Sequence, residues 1–288
     1  MTEQRLDFVS SAATTEHPQS RLGGWIGNLQ AHRRAWMAIR GFHEIVLIGA
    51  VYSLYDVTRY FVAGDHVGAV SHGAQLLRFE QRLKIAPEHW LNNAVSPHVL
   101  LAVPADYMYA TLHYLVTPLV LIWLWRRHGP AYTSARTVLM FTTIVGLVGF
   151  SLLPIAPPRL LPGFIDTMAR YSHYGWWGKA ASAPRGFGKD TNQYAAMPSL
   201  HVGWAVWSGW QLMRFGKHRI TRYLGVAYPF VLSVDVIATA NHYLLDVVAG
   251  FAAVGVGVIL ARLFSHIGWW SRRLLKVGPA PPPPAAPG

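Results

Sequence analysis

The chain has 288 residues, 52% hydrophobic and 13% charged, about half the charged share of an ordinary soluble domain. Its mean hydropathy is positive, at +0.24, and the apolar residues fall in long runs, which excludes a soluble globular protein and indicates an integral membrane one. The net charge of +12 comes without any cysteine. The basic residues flank apolar runs and form no stripe with interleaved aromatics, which excludes nucleic acid as partner, and the missing cysteine excludes disulfides and thiolate metal sites.

Residues 1–24 lack periodicity and read as a disordered N-terminal segment, with no secretory leader. Residues 25–43 carry Trp25, Arg33, Arg34, Trp36 and Arg40, a basic amphipathic stretch suited to a membrane surface. From 44 to 268 the pattern predicts an all-α integral membrane protein, a six-transmembrane-helix bundle with interfacial helices. The expected spans are 44–63, 99–125 (broken near Pro104 and Pro118), 135–154, 199–215, 222–240 and 241–264. Segment 66–83 has helical spacing but reads as interfacial. Residues 269–288 form a basic, then proline-rich, disordered tail.

Charge asymmetry sets an expected topology. Arg33, Arg34 and Arg40 share a side with Arg126, Arg127 and Arg136, with Arg214, Lys217, Arg219 and Arg222, and with Arg262, Arg272, Arg273 and Lys276. The positive-inside rule then places both termini in the cytoplasm of a multi-pass protein of the cell membrane. His201, His242 and the 155–197 loop fall on the extracytoplasmic face.

Two short runs carry the chemistry: MPSLH at 197–201 and NHYLLD at 241–246. His242 and Asp246 are i and i+4, on one helical face. A carboxylate there fixes the imidazole tautomer and leaves the other ring nitrogen free as nucleophile or base. Asn241 and Thr239 read as caps of that helix, with its first amides turned toward an anion. Ser199 and Pro198 open the preceding helix and set His201 at its start. One histidine can attack phosphorus while the other protonates the leaving oxygen. Asp106, Tyr109 and His113, at i, i+3 and i+7, share another face that can line a substrate path or join helices. Asp235 lacks an evident partner other than Arg159.

Pro198-Ser199-Leu200-His201 followed by His242-x-x-x-Asp246 resembles the type 2 phosphatidic acid phosphatase (PAP2) superfamily. The H-Y start and Asp246-Val247 are similar to its inositol phosphorylceramide and sphingomyelin synthase branch, an inositolphosphotransferase-like group. The resemblance implies His242 as a nucleophile forming phosphohistidine, Asp246 as its orienting carboxylate, and His201 as general acid and then base. The superfamily's K-x6-R-P motif is absent, and Ala156-Pro157-Pro158-Arg159 is its nearest counterpart, with Arg159 on the phosphate. Where the phosphatases place an arginine six residues before the histidine, this chain has Val236.

Replacement cations are sought in the 159–190 loop: Lys179, Arg185 and Lys189, with Asn192 and Tyr194 as hydrogen-bond donors. Ser199, Asn241 and His113 complete the expected phosphate and substrate contacts. The expected partner is a lipid phosphate, with no cofactor and no metal. Whether water or an alcohol resolves the intermediate, making a phosphatase or a phosphotransferase, stays open, as does the oligomeric state. Two other readings remain: metal-dependent hydrolysis on His201, His242, Asp246 and His113, and a lipid-binding or transport protein that uses the same cationic pocket without turnover.

Overall fold

The computed structural model describes residues 66–177 and 193–274, with isolated helical positions at 46, 49 and 53 and side chains as far as His266. The chain divides between Ser53 and Leu54, and the fold below is that of the second unit. The expected segments 1–24 and 25–43, the tail beyond 274, and all but three positions of the expected helix 44–63 lie outside the described residues.

Among the described residues there is no strand, only a parallel bridge between Ile155 and Ala195. The principal helices are α1 (His66–Arg82), α2 (Glu88–Val95), α3 (Val99–Arg127), α4 (Gly129–Leu152), the short α5 (Thr167–Arg170), α6 (Leu200–Phe215), α7 (Arg219–Ala238) and α8 (Leu244–Leu274). Of these, α3, α4, α7 and α8 are long and apolar enough to cross a membrane. The fourth expected span, α6, has 16 residues, which reach only about 24 Å against a hydrocarbon core of about 30 Å.

Several boundaries differ from expectation. Helix α3 runs unbroken through Pro104 and Pro118. A proline inside a buried helix is tolerated where neighbouring helices and local adjustments re-satisfy the freed carbonyl. Helix α4 starts six residues early because Gly129 and Pro130 open it, proline being preorganised for a first turn. Helix α8 begins at Leu244 rather than Asn241 and continues to Leu274, into the stretch read as tail. Helix α2 was not expected at all; eight residues are too few for a clear periodic signal.

The polarity is inverted relative to a soluble protein. Leu119, Ile220, Phe230 and Ile259 are more than half exposed, whereas Asp106, His113, Thr142, Ser208, Gln211 and Asp235 are buried. Apolar side chains outward and polar groups inward is the arrangement a bilayer demands. Two indole bonds tie α6 to α4: Trp207 Nε1 donates to Ala135 O at 2.9 Å and Trp204 Nε1 to Thr143 Oγ1 at 3.0 Å. Tyr109, Met168, Trp177, Val202, Leu232, Val236 and Val247 form one core cluster, drawn from α3, α5, α6, α7, α8 and, through Trp177, the loop after α5.

Helices α6 and α8 cross with almost no clearance. A Cβ placed on Gly250 would lie 2.6 Å from Ser199 O, so only glycine permits this approach. The motif residues at the two helix starts are brought together there.

Candidate active site

The site lies where the starts of α6 and α8 meet the turn after α4. The chain leaves α7 through Ala240, whose φ of +55° reverses it. The amides of Asn241 and His242 both donate to Val236 O at 3.0 Å. The backbone of His242 is thus pinned to the end of α7. Val236 itself is fully buried in the core, so the position that lacks the arginine is a packing position here.

His242 is held by two acceptors on one ring nitrogen. Its Nδ1 lies 2.8 Å from Ala196 O and 3.4 Å from Asp246 Oδ2. A carbonyl oxygen can only accept, so Nδ1 carries the hydrogen. The neutral ring therefore presents the Nε2 lone pair, which stands 3.4 Å from His201 Nδ1. The expected carboxylate contact is present, but the shorter bond is to a main-chain carbonyl that no side-chain pattern reveals.

His201 is sandwiched. Tyr109 stacks on it with ring centroids 4.5 Å apart and planes 23° apart. His113 meets it edge-on at 4.3 Å. Of the expected α3 face, Tyr109 and His113 reach the site, while Asp106 is buried and accepts from the Thr167 hydroxyl. Ser199 is fully buried and caps α6 by accepting from Val202 N at 3.4 Å, while its amide donates to Asp246 O at 3.0 Å. That last bond joins the two motifs directly.

Arg159 sits in a 3-10 turn, Pro158–Leu160, and is buried. Its amide donates to Ala240 O at 2.8 Å. Its Nε donates to Asn241 Oδ1 at 2.9 Å, and Nη1 donates to Asp166 Oδ2 and Gln193 Oε1, both at 3.4 Å. The ion-pair partner is thus Asp166, seven residues on, and not Asp235. Asn241 is turned to Arg159 and to Thr239, whose hydroxyl accepts from Asn241 Nδ2 at 2.9 Å; it does not cap α8. Tyr194 is half-buried, and its carbonyl accepts from Ile155 N at 2.9 Å. Lys179, Arg185, Lys189 and Asn192 lie outside the described residues.

The amides that open α8 are not free for an anion. Tyr243 N donates to Asp246 Oδ2 at 2.9 Å, Leu244 N to Glu88 Oε1 at 2.8 Å, and Leu245 N to Glu80 Oε1 at 2.7 Å. With Asn241 and His242 bonded to Val236, five consecutive amides are occupied from inside the protein. The reading of a helix terminus open to phosphate is therefore corrected: three carboxylates already complement that dipole. Glu80, Glu88 and Asn92, all fully buried, were missed in the sequence. Asn92 Nδ2 donates to Ile165 O and Ala238 O at 3.0 Å, and its Oδ1 accepts from Ile165 N. This locks the 159–166 turn to the end of α7.

Among the described residues, no group of three histidine or acidic side chains could hold a metal ion. The site thus brings together an imidazole fixed through its Nδ1, a second imidazole at its Nε2 and, through the neighbouring Asn241, a buried guanidinium. A family model described as the PAP2 superfamily matches residues 74–260, and the chain belongs to that superfamily. The crystal structure of Aquifex aeolicus LpxE is similar to it, with 19% identity, a TM-score of 0.44, and coverage of 68% of this chain and 97% of that one. The comparison with curated proteins returns no match.

Proposed function

We propose that this protein is a membrane enzyme of lipid phosphoryl transfer, acting on a lipid-linked phosphate through a phosphohistidine. The observation that carries the reading is the His242 ring. Nδ1–H is committed to Ala196 O and Asp246, and the Nε2 lone pair faces His201.

In this mechanism Nε2 of His242 attacks phosphorus as the bond to the lipid oxygen breaks. The ring becomes cationic, and Asp246 stabilises that charge at 3.4 Å. His201 gives up its contact with His242 as the phosphate enters and protonates the departing oxygen. It then deprotonates the water or alcohol that attacks the phosphohistidine, which regenerates His242. Arg159 meets the phosphoryl oxygens as charge spreads over them, with Asn241, Gln193 and Asp166 holding its orientation. His113 and Tyr109 keep the His201 ring in place. Ser199 acts through the α6 cap, and Lys189, Arg185, Asn192 and Tyr194 belong to the loop that would select the headgroup.

The finer assignments are part of the same proposal. The catalytic domain spans 44–268, the site faces the extracytoplasmic side, and both termini are cytoplasmic. The H-Y-x-x-D-V run and the valine at 236 favour the inositolphosphotransferase-like branch. The test uses purified full-length protein in detergent with radiolabelled phosphatidic acid, polyprenyl phosphate and phosphatidylinositol, with and without alcohol acceptors. Free phosphate marks a phosphatase and labelled alcohol a transferase. His242→Ala should abolish turnover and trapping of label on protein. A variant that turns over normally refutes the mechanism, and lipid movement that survives it favours a binding or transport protein.

A further inference from the structure

We propose that Glu80 and Glu88 are positioning residues, a carboxyl pair that shares one proton and clamps the first turn of α8 so that His242 stays aligned with His201. The pair bonds adjacent amides, Leu245 N and Leu244 N, at 2.7 and 2.8 Å. Both side chains are fully buried, and in each the second oxygen, Oε2, lacks any fixed donor. Two carboxylates side by side in such a place cannot both be charged, and a proton held between the two Oε2 atoms satisfies both. Asp246 takes the next amide, Tyr243 N. The three acids thus hold three successive amides immediately after the nucleophile.

The clamp is backed by close packing. A Cβ on Gly73 would lie 2.5 Å from Ala156 O and 2.8 Å from the Tyr243 hydroxyl, which itself donates to Ala156 O at 2.8 Å. Helix α1 is therefore pressed against the two residues that flank the site. The groups facing Glu80 are Glu88 from α2 and Asp246 and Tyr243 from the start of α8; Arg159, in the turn against α1, pairs with Asp166. Among the described residues no ion pair to either carboxyl is present, and burial, then the neighbouring Glu88 carboxyl, pushes Glu80 from 4.5 up to about 9. Between those values the folded protein holds a proton that the unfolded chain releases, so this pair makes stability fall as pH rises across that interval.

The inference rests on the proposed function only for its kinetic readout. Full-length wild type, Glu80→Gln and Glu80→Met are purified in detergent. A glutamine supplies the shared hydrogen permanently, so the fall in unfolding midpoint between pH 5 and 9 should be shallower in Glu80→Gln than in wild type. The 15N-histidine spectrum should retain the His242 Nδ1–H tautomer, with the signal assigned by its loss in His242→Asn. Glu80→Gln should keep kcat within about threefold, while Glu80→Met, which fills the space without bonding Leu245 N, loses at least about tenfold in kcat at unchanged KM. Equal pH slopes in wild type and Glu80→Gln would overturn the shared proton. Full kcat and an unchanged His242 signal in Glu80→Met would overturn the positioning role. If wild type turns over no lipid phosphate, the functional reading fails, while the pH slope and the tautomer still decide this one.

Discussion

Replacing Asp246 by asparagine separates the two tasks of that residue. Asp246 Oδ2 accepts from Tyr243 N and faces His242 Nδ1 at 3.4 Å. Asparagine keeps an oxygen for the amide, so the change in folding stability should stay below about 1 kcal/mol. It removes the charge opposite the imidazole, which becomes cationic when phosphorus is bound. Two unit charges at 3.4 Å interact by about 5 kcal/mol at an effective dielectric of about 20. The amide dipole returns part of this, leaving roughly a thousandfold loss in rate. Because Ala196 O still holds Nδ1–H at 2.8 Å, the ring keeps its orientation and KM should barely move. Steady-state release of labelled phosphate from the best lipid substrate gives both constants, and thermal unfolding in the same detergent gives stability. An Asp246→Asn enzyme within about tenfold of wild type, about 1.4 kcal/mol, would refute the electrostatic role and leave the carbonyl as the sufficient orienter.

His201→Ala should lose most of its turnover on alkyl phosphates, yet recover formation of the phosphohistidine with a nitrophenyl phosphate, whose leaving group needs no acid; equal losses on both substrates would remove His201 from proton transfer. Arg159→Lys loses the Nε bond to Asn241 and the planar fork, and should cost about 1–3 kcal/mol in kcat/KM, measured on the same lipid; no change would place the phosphate elsewhere. Gly250→Ala drives a methyl to 2.6 Å from Ser199 O, so α6 must shift away from α8 and activity should fall with a lower unfolding midpoint; an unaffected enzyme would show that His201 is not placed by this crossing. Asn92→Ala strands Ile165 and Ala238 carbonyls and should destabilise the fold by about 2–4 kcal/mol in reversible unfolding.

Four of the six expected membrane helices were legible, because hydropathy is a sum over about twenty residues and survives local exceptions. Their ends were not, since Pro104, Pro118 and the Gly129-Pro130 start depend on what packs around them. The contact of His242 with Asp246 was legible from their spacing of four, although His242 precedes the first turn of α8, and the closeness of His201 from its place at a helix start. Ala196 was invisible because the group that matters is a main-chain oxygen. Glu80 looked like the polar face of an interfacial helix, and Glu88 and Asn92 fell in a stretch where no helix was expected, for composition does not distinguish a carboxylate in solvent from one bonded to a buried amide. The partner of Arg159 was sought in another helix and found within its own turn, because short-range geometry outweighs the search for a distant charge.

The site end of the bundle is joined by main-chain bonds between segments far apart in sequence: Ala156 N to Ala69 O, Arg159 N to Ala240 O, Ser199 N to Asp246 O and Ile155 N to Tyr194 O. Such bonds do not depend on which side chains neighbour them. When a bilayer thickens or thins, helices accommodate by tilting, and a bundle fastened at one end tilts about the fastening. His201, His242 and Arg159 lie at that fulcrum, where displacement is smallest. On the proposed function, the chemistry is thereby set apart from the tilt of the helices that meet the lipid.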